Sequence, residues 1–370
     1  MKAPCAIEGC GTSVCARGWC QKHYTCWKKY GDPSVKKCHL IFGEPRMTSV
    51  CLVGDVHLSD RSPASCTPQY NDQLFTMLDE VVDLSCSMDA VVFSGDVFHA
   101  KAPHRTSHRT VQRMIEVVQA FPCPVFLVPG NHDMQQDRLA SIHETQPFGT
   151  LLRAGARLLV GWADGFPIYG VPWLQSWEDA APAFRAWDEA PFDSVVDSGN
   201  YLLVAHAPIY PPGRENPFEC VAASQVSEWM LGNGYCYYGH VHDHHGTFTV
   251  DGVTFCNQGA LSRGSLQEED LTRRPAVTYW HSDRSGVAAF ERVELTSAPP
   301  ADQVFRVAEA AQRVDHRDRL EDFLAAVGRA EVAQTSVEAV LAHLGTLGLD
   351  APERALAEDV LRSAEAGELR

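Results

Sequence analysis

The sequence predicts an α/β protein in three parts: a small cysteine-rich unit over residues 1–46, an α/β domain over 47–295 and a helical extension over 296–370. Three observations point to the central fold. Short apolar runs recur along it, each about one strand long and each followed at once by Asp, Asn or His. In its first half these runs alternate with helical periodicities, the order that makes a largely parallel sheet. In its second half the pattern turns strand-rich, with tight turns between runs. Two sheets packed face to face, with helices outside, accommodate both halves.

Residues 1–46 come first in the chain. Of the 13 cysteines, five fall within the first 26 residues. Such clustering suggests a metal rather than disulfides. Cys5, Cys10, Cys20 and His23 read C-x4-C-x9-C-x2-H, with Trp19, Tyr24 and Trp27 interleaved. Three thiolates and an imidazole suit one structural zinc ion, which can hold a segment too small for its own core. Cys15 and Cys26 are alternative ligands. The stretch Gly18 to Trp27, with Gly31-Asp-Pro33, resembles a small zinc module of phage and bacterial DNA-associated proteins. Lys28, Lys29, Lys36 and Lys37 can meet phosphates or form a solvated face. Leu40 to Thr48 reads as a linker.

The central domain opens with the run Val50-Cys-Leu-Val53, followed by Asp55-Val-His57. Leu74, Phe75, Leu78, Val81 and Val82 mark a helical face over 70–84. Ala90-Val-Val-Phe93 precedes Gly95-Asp96. Val111, Met114, Ile115 and Val118 mark a second helix over 110–121. Val125-Phe-Leu-Val128 precedes Gly130-Asn131-His132-Asp133. Tyr201 to Ala205 leads to His206, and Tyr235 to Tyr238 leads to Gly239-His240-Val241-His242. Gly246 to Val250 and Val253 to Cys256 flank Asp251-Gly252, a hairpin turn. Ala276 to Trp280 and Val287 to Leu295 complete the strands. Beyond Pro299-Pro300, Ala- and Glu-rich helical patterns cover 303–327, 335–347 and 351–366. They suit either a partner-docking cap or a stabilising bundle.

Composition narrows the function. Hydrophobic residues make up 45% and charged residues 21%, as in ordinary globular proteins. No apolar stretch nears the roughly 20 residues of a membrane span, and Met1 to Cys5 opens no signal peptide, so the expected location is cytoplasmic. Net charge is −16, against a generally basic nucleic-acid binder, yet residues 1–50 carry +5.

Asp55, His57, Asp96, Asn131, His206, His240 and His242 have the donor types of a two-metal hydrolytic centre. One ion can take Asp55, His57, Asp96 and His242; the other can take Asp96, Asn131, His206 and His240. Asp96 bridges them, and a hydroxide shared by the ions can attack phosphorus in line. His132 adjoins Asn131 and should face substrate, as proton donor for the leaving oxygen or as a cationic brace. Asp133 is expected to orient it. His99 is a further candidate for contact with substrate. His104, His108, His244 and His245 are weaker candidates near the same polar edge.

Asp55-x-His57, Gly95-Asp96, Gly130-Asn131-His132-Asp133, His206 and Gly239-His240-x-His242 together resemble the motif set of the calcineurin-like metallophosphoesterases. The resemblance implies a four-layer α/β/β/α sandwich. It also implies metal-dependent phosphoester hydrolysis, with the seven ligands and His132 in the roles above. Gly95-Asp-Val-Phe-His99 and Asn257-Gln-Gly-Ala-Leu-Ser-Arg263 are similar to the DNA repair exonuclease branch, which includes the nuclease subunit of the bacterial SbcC–SbcD complex. That branch implies manganese, a DNA substrate, a coiled-coil ATPase partner of the SbcC type, and Gly259 and Arg263 on the DNA-facing side. Iron, zinc or cobalt also suit such donors. The alternatives are a small-molecule phosphodiesterase or phosphatase and a non-catalytic scaffold.

Overall fold

Alternate residues of each central strand face two different apolar layers, which is why these runs carry no polar interruption. The computed structural model describes residues 48–307, apart from 179, 186–200, 215–219, 231–233 and 283–287, together with residue 355. The cysteine-rich unit with Cys5, Cys10, Cys20 and His23 lies outside the described residues, as do the helical patterns after 307 except Ala355.

The strands in chain order are β1 (Thr48–Val53), β2 (Ala90–Phe93), β3 (Val125–Leu127), β4 (Arg157–Leu158), β5 (Gly161–Trp162), β6 (Ile168–Val171) and β7 (Leu202–His206). They continue as β8 (Ile209–Tyr210), β9 (Val221–Ala222), β10 (Tyr235–Gly239), β11 (Gly246–Val250), β12 (Val253–Asn257), β13 (Ala276–Ser282) and β14 (Ala288–Glu294). The first sheet has the order β14-β13-β1-β2-β3-β4, and the second β11-β12-β10-β7-β6-β5. β1 to β4 are mutually parallel, and so are β6, β7, β10 and β12. Antiparallel strands close every edge except that of β4. β8 and β9 form a small separate pair.

Three apolar layers result. Val50, Leu52, Val92 and Phe126 meet Leu202, Val204, Tyr237 and Trp280 between the sheets. Cys51, Val53, Val91 and Phe93 face outward, onto helices α1 (Tyr70–Leu84) and α2 (His108–Ala120). On the far side Leu203, Ala205, Cys236 and Tyr238 pack with Phe184 and Val226 from short helices. Helix, sheet, sheet, helix is the expected sandwich. Burying one such side chain contributes about 1.5–3 kcal/mol, so the layers supply the main drive for folding.

α1 occupies the predicted span, and α2 begins at His108 because Ser107 caps it, accepting from the Thr110 amide at 3.4 Å. The turn at Asp251-Gly252 has φ of 45° and 90°, as a tight right-twisted hairpin needs. Sequence patterns mark no strand over 129–200, yet β4, β5 and the longer β6 lie there. Pro167, Gly170 and Pro172 make that run read as a loop. Gly170 is required because a Cβ there would sit 2.4 Å from the Leu159 carbonyl oxygen.

Residues 296–306 pack with the sandwich. Ala298, Val304 and Phe305 are buried in the layer beneath α1, and Arg306 Nε donates to the Cys66 carbonyl at 2.9 Å. Glu80 of α1 accepts from the amides of Thr296 and Ser297, each at 2.8 Å. Among the described residues no helix is long and apolar enough to cross a membrane.

Candidate metal centre

Parallel strands release their loops at one edge, and side chains just past the strand C-termini converge there. Asp55 and His57 follow β1, Asp96 follows β2, Asn131 and His132 follow β3, His206 ends β7, and His240 and His242 follow β10. The backbone bends hard to aim them. His57, Asp96 and His240 have φ of 53°, 49° and 80°, left-handed conformations that cost about 1–3 kcal/mol each. Hydrogen bonds between the two loops hold the first two, with the His57 amide donating to the Asp96 carbonyl at 2.9 Å. The motif glycines make room for the carboxylates. A Cβ at Gly130 would lie 2.1 Å from Asp96 Oδ1, and one at Gly239 would lie 2.5 Å from Asp55 Oδ1.

The expected donors fall into two groups, and His57 forms a third with His99 and His132. Asp55, His57 and His242 have donor atoms within 4.8 Å of one another, and so do Asp96, His206 and His240. Asp96 Oδ2 stands between them, 3.6 Å from His57 Nε2 and 3.4 Å from His206 Nε2. Asn131 Oδ1 joins the second group, 3.1 Å from His206 Nε2 and 3.2 Å from His240 Nδ1. In the first group His242 Nε2 is 2.9 Å from His57 Nε2 and 3.5 Å from Asp55 Oδ2. All seven expected ligands therefore meet, in the two sets the sequence suggested.

The electrostatics suit cations. Asp55 Oδ1 is buried with no hydrogen-bond partner, a costly state for a carboxylate oxygen unless a positive charge faces it. Burial pushes the imidazoles of His57 and His240 down to about 3 and about 4, so both keep the neutral form that binds metals. Burial also pulls on His206, but the Asp96 and Asp55 carboxylates outweigh it and hold this imidazole up at about 9. Its Nδ1 donates to the Ser94 carbonyl at 2.8 Å, which turns Nε2 to the centre. Burial, with Asp96 nearby, raises Asp133 to about 8. The His206 shift reports concentrated negative charge of the kind that divalent cations relieve. The seven residues thus fit a pair of such ions.

The Calcineurin-like phosphoesterase family model matches residues 48–244, more than half of the chain. The chain is a calcineurin-like phosphoesterase by family. Among solved structures it is similar to purple acid phosphatase PPD1 from yellow lupin (Lupinus luteus) seeds, at 11% identity and a TM-score of 0.46, over 70% of this chain and 53% of that one. It is also similar to a 5'-nucleotidase precursor from Thermus thermophilus, at 12% identity and a TM-score of 0.37, over 74% of this chain and 59% of that one. The match thus spans between half and three fifths of each of those chains.

In this calcineurin-like centre His132 and His99 lie on the open side. Their rings stack with centroids 5.3 Å apart, and His132 lies edge-on to His57 at 4.9 Å. His132 Nδ1 donates to the His99 carbonyl. Both rings line an open cleft of about 1380 Å³ that also reaches His57 and His242.

Asp133 does not orient His132. It is buried, and its carboxylate accepts from the amides of Val97 at 3.1 Å and Gly130 at 3.0 Å, so it ties the β2 and β3 loops together. Neighbouring residues in a tight turn point apart, which a linear motif does not show. Arg263 is not on a DNA-facing side either. It is buried, donating to the carbonyls of Arg273 and Pro299. Gly259 lies behind the site, where a Cβ would sit 2.4 Å from the His242 carbonyl oxygen. Of the weaker histidines, His104 lines the cleft. His245 instead meets the Tyr238 hydroxyl at 2.7 Å. Sequence reasoning missed Trp173, whose ring lies 4.5 Å from that of His240 and backs the second donor group. No motif or periodicity marks it.

Proposed function

We propose that this chain is a two-metal phosphodiester hydrolase that cleaves DNA. The observation that carries the hydrolase reading is the convergence of seven donors into two groups sharing Asp96, beside an open cleft. Asp55, His57, Asp96 and His242 would hold one divalent ion, and Asp96, Asn131, His206 and His240 the other. Bound cations of this kind activate water and neutralise charge on the phosphoryl oxygens. Manganese is the first ion to supply, and iron, zinc and cobalt suit the same donors.

The chain's own groups do the rest. Asp96 spaces the two donor sets. The Ser94 carbonyl fixes His206, and Trp173 packs against His240, so the back of the site holds its shape without substrate. His132, its Nδ1 tied to the His99 carbonyl, keeps Nε2 free to carry a proton to the leaving oxygen. His99 stacks on it from the cleft side. The balance of +5 over residues 1–50 supports DNA docking by the N-terminal zinc unit.

The test is incubation of the full chain with Mn²⁺ and end-labelled single- and double-stranded DNA, beside a chromogenic phosphodiester and a phosphomonoester. A product ladder from DNA supports the reading. Turnover of the small esters alone would replace it with a small-molecule phosphodiesterase or phosphatase.

A further inference from the structure

The cleft in front of the donors carries basic side chains on two of its loops. Arg61, Lys101, His104 and Arg105 all line it and all are exposed. In a chain of net charge −16 the cleft also holds Asp60, Asp243 and Asp270, so what distinguishes it is the grouping of the basic residues on two neighbouring loops. Arg61 comes from the one after β1 and the other three from the one after β2. The same loops carry Asp55, His57 and Asp96, so basic residues and donors share one sheet edge.

Asp60 fastens the two loops together. Its carboxylate accepts from the Ser107 amide at 2.5 Å, the Ser107 hydroxyl at 2.6 Å and the Thr110 hydroxyl at 2.5 Å. Arg61, the next residue, is thereby held beside the segment that carries His104 and Arg105. The clip engages both of Asp60's oxygens with neutral donors, and no ion pair joins Asp60 to Arg61 among the described residues. Of the other acids of the cleft, Asp270 is paired with Arg273 at 3.0 Å, and Asp243 adjoins His242 rather than the two loops that carry the basic residues. Lys101 reaches Asp137 at 3.8 Å. The guanidinium groups of Arg61 and Arg105 make no ion pair or side-chain hydrogen bond among the described residues. Two planar, permanently charged forks at the rim of a hydrolytic centre are the chemistry that grips phosphate oxygens.

We propose that Arg61 and Arg105, supported by Lys101 and His104, form a second phosphate subsite. It takes the phosphate adjoining the scissile one on a DNA strand. The proposal rests on the hydrolase reading and adds to it: the favoured substrate carries at least two phosphates, and the subsite sets the strand's position relative to the metal centre.

The test uses the full-length chain, the exposed double variant R61A/R105A and its charge-retaining counterpart R61K/R105K. Binding of a fluorescent oligothymidylate is read by anisotropy in EDTA over a salt series. Cleavage of oligothymidylates of increasing length, and of bis(p-nitrophenyl) phosphate, is read with Mn²⁺. The subsite predicts that R61A/R105A weakens DNA binding about 10-fold and lowers the salt slope by about 0.7, the effect of one lost phosphate contact on a single strand. It predicts a raised KM on DNA, loss of the gain that a second internucleotide phosphate brings, partial rescue by R61K/R105K, and an unchanged rate on the one-phosphate ester. Unaltered DNA binding and salt slope, or equal loss on the small ester, overturns the subsite. DNA cleavage indifferent to both arginines overturns it while leaving the hydrolase reading intact. Binding that depends on both arginines with no DNA cleavage does the reverse.

Discussion

His206 is fully buried and His242 is half exposed, although each belongs to a donor group of the same size. The back group is braced on every side. The Ser94 carbonyl holds His206, Asn131 Oδ1 lies between His206 and His240, and Trp173 packs on His240. The front group opens on the cleft. His57 Nδ1 is buried without a partner, and His242 reaches in from a solvent-facing loop. The back is thus shaped before any ion or substrate arrives, whereas the front shares its space with what enters the cleft. Rigidity and access are separated across Asp96.

Asp96→Ala removes the residue common to both groups and carries the largest expected effect: loss of both ions, measured by elemental analysis, and turnover at background. Retention of two ions would break the picture of a shared carboxylate. The comparison itself is tested by His206→Ala against His242→Ala. The first leaves buried carboxylates without their partner and should cost about 3–5 kcal/mol in a denaturant titration of the protein in EDTA. The second should leave stability close to wild type and one ion bound. Equal destabilisation by the two would erase the distinction between back and front.

His132→Ala stands third. It belongs to neither of the two donor sets that share Asp96, so metal content should stay at wild-type level while turnover of an ester with a poor leaving group falls about 10²–10⁴-fold. The loss should shrink when the leaving group is nitrophenolate, which needs no proton. The smallest effect belongs to Asp60 at the cleft wall. Burial works to raise its carboxyl, but hydrogen bonds from Ser107 and Thr110 outweigh this and hold it below the usual carboxylate range. A depressed carboxylate stabilises the fold above its unfolded value near 3.9 and loses that contribution as pH falls through its folded value. Melting curves of wild type and Asp60→Ala should therefore differ at neutral pH and merge in acid. A difference that persisted in acid would mean that the carboxylate charge is not what holds the clip.

Much of this was legible in the chain because two signals are local. A strand buried on both faces must be apolar throughout, so Val50–Val53 and Ala90–Phe93 announce themselves. A side chain at the sheet edge appears as a polar residue within a few positions of such a run, as His206 does at the end of β7. Arg263 and Asp133 show where locality fails. Arginine in a polar motif suggests a surface group, yet Arg263 is buried because its carbonyl partners come from residues 273 and 299. Asp133 adjoins His132 in sequence and faces the other way. Trp173 carries no motif, and its place beside His240 comes from β6, a strand that prolines and glycine hide.

By itself the sequence determined the layered α/β class, the spans of α1 and of most strands, and which seven side chains gather at the sheet edge. Each of these depends on residues within a few positions of one another. Tertiary structure alone decided that the donors divide into a buried group and an open one, that Asp133 braces loops, and that Arg61 and Arg105 share a wall. Those features join segments tens to more than a hundred residues apart, and only the packing of two sheets brings such segments to one edge.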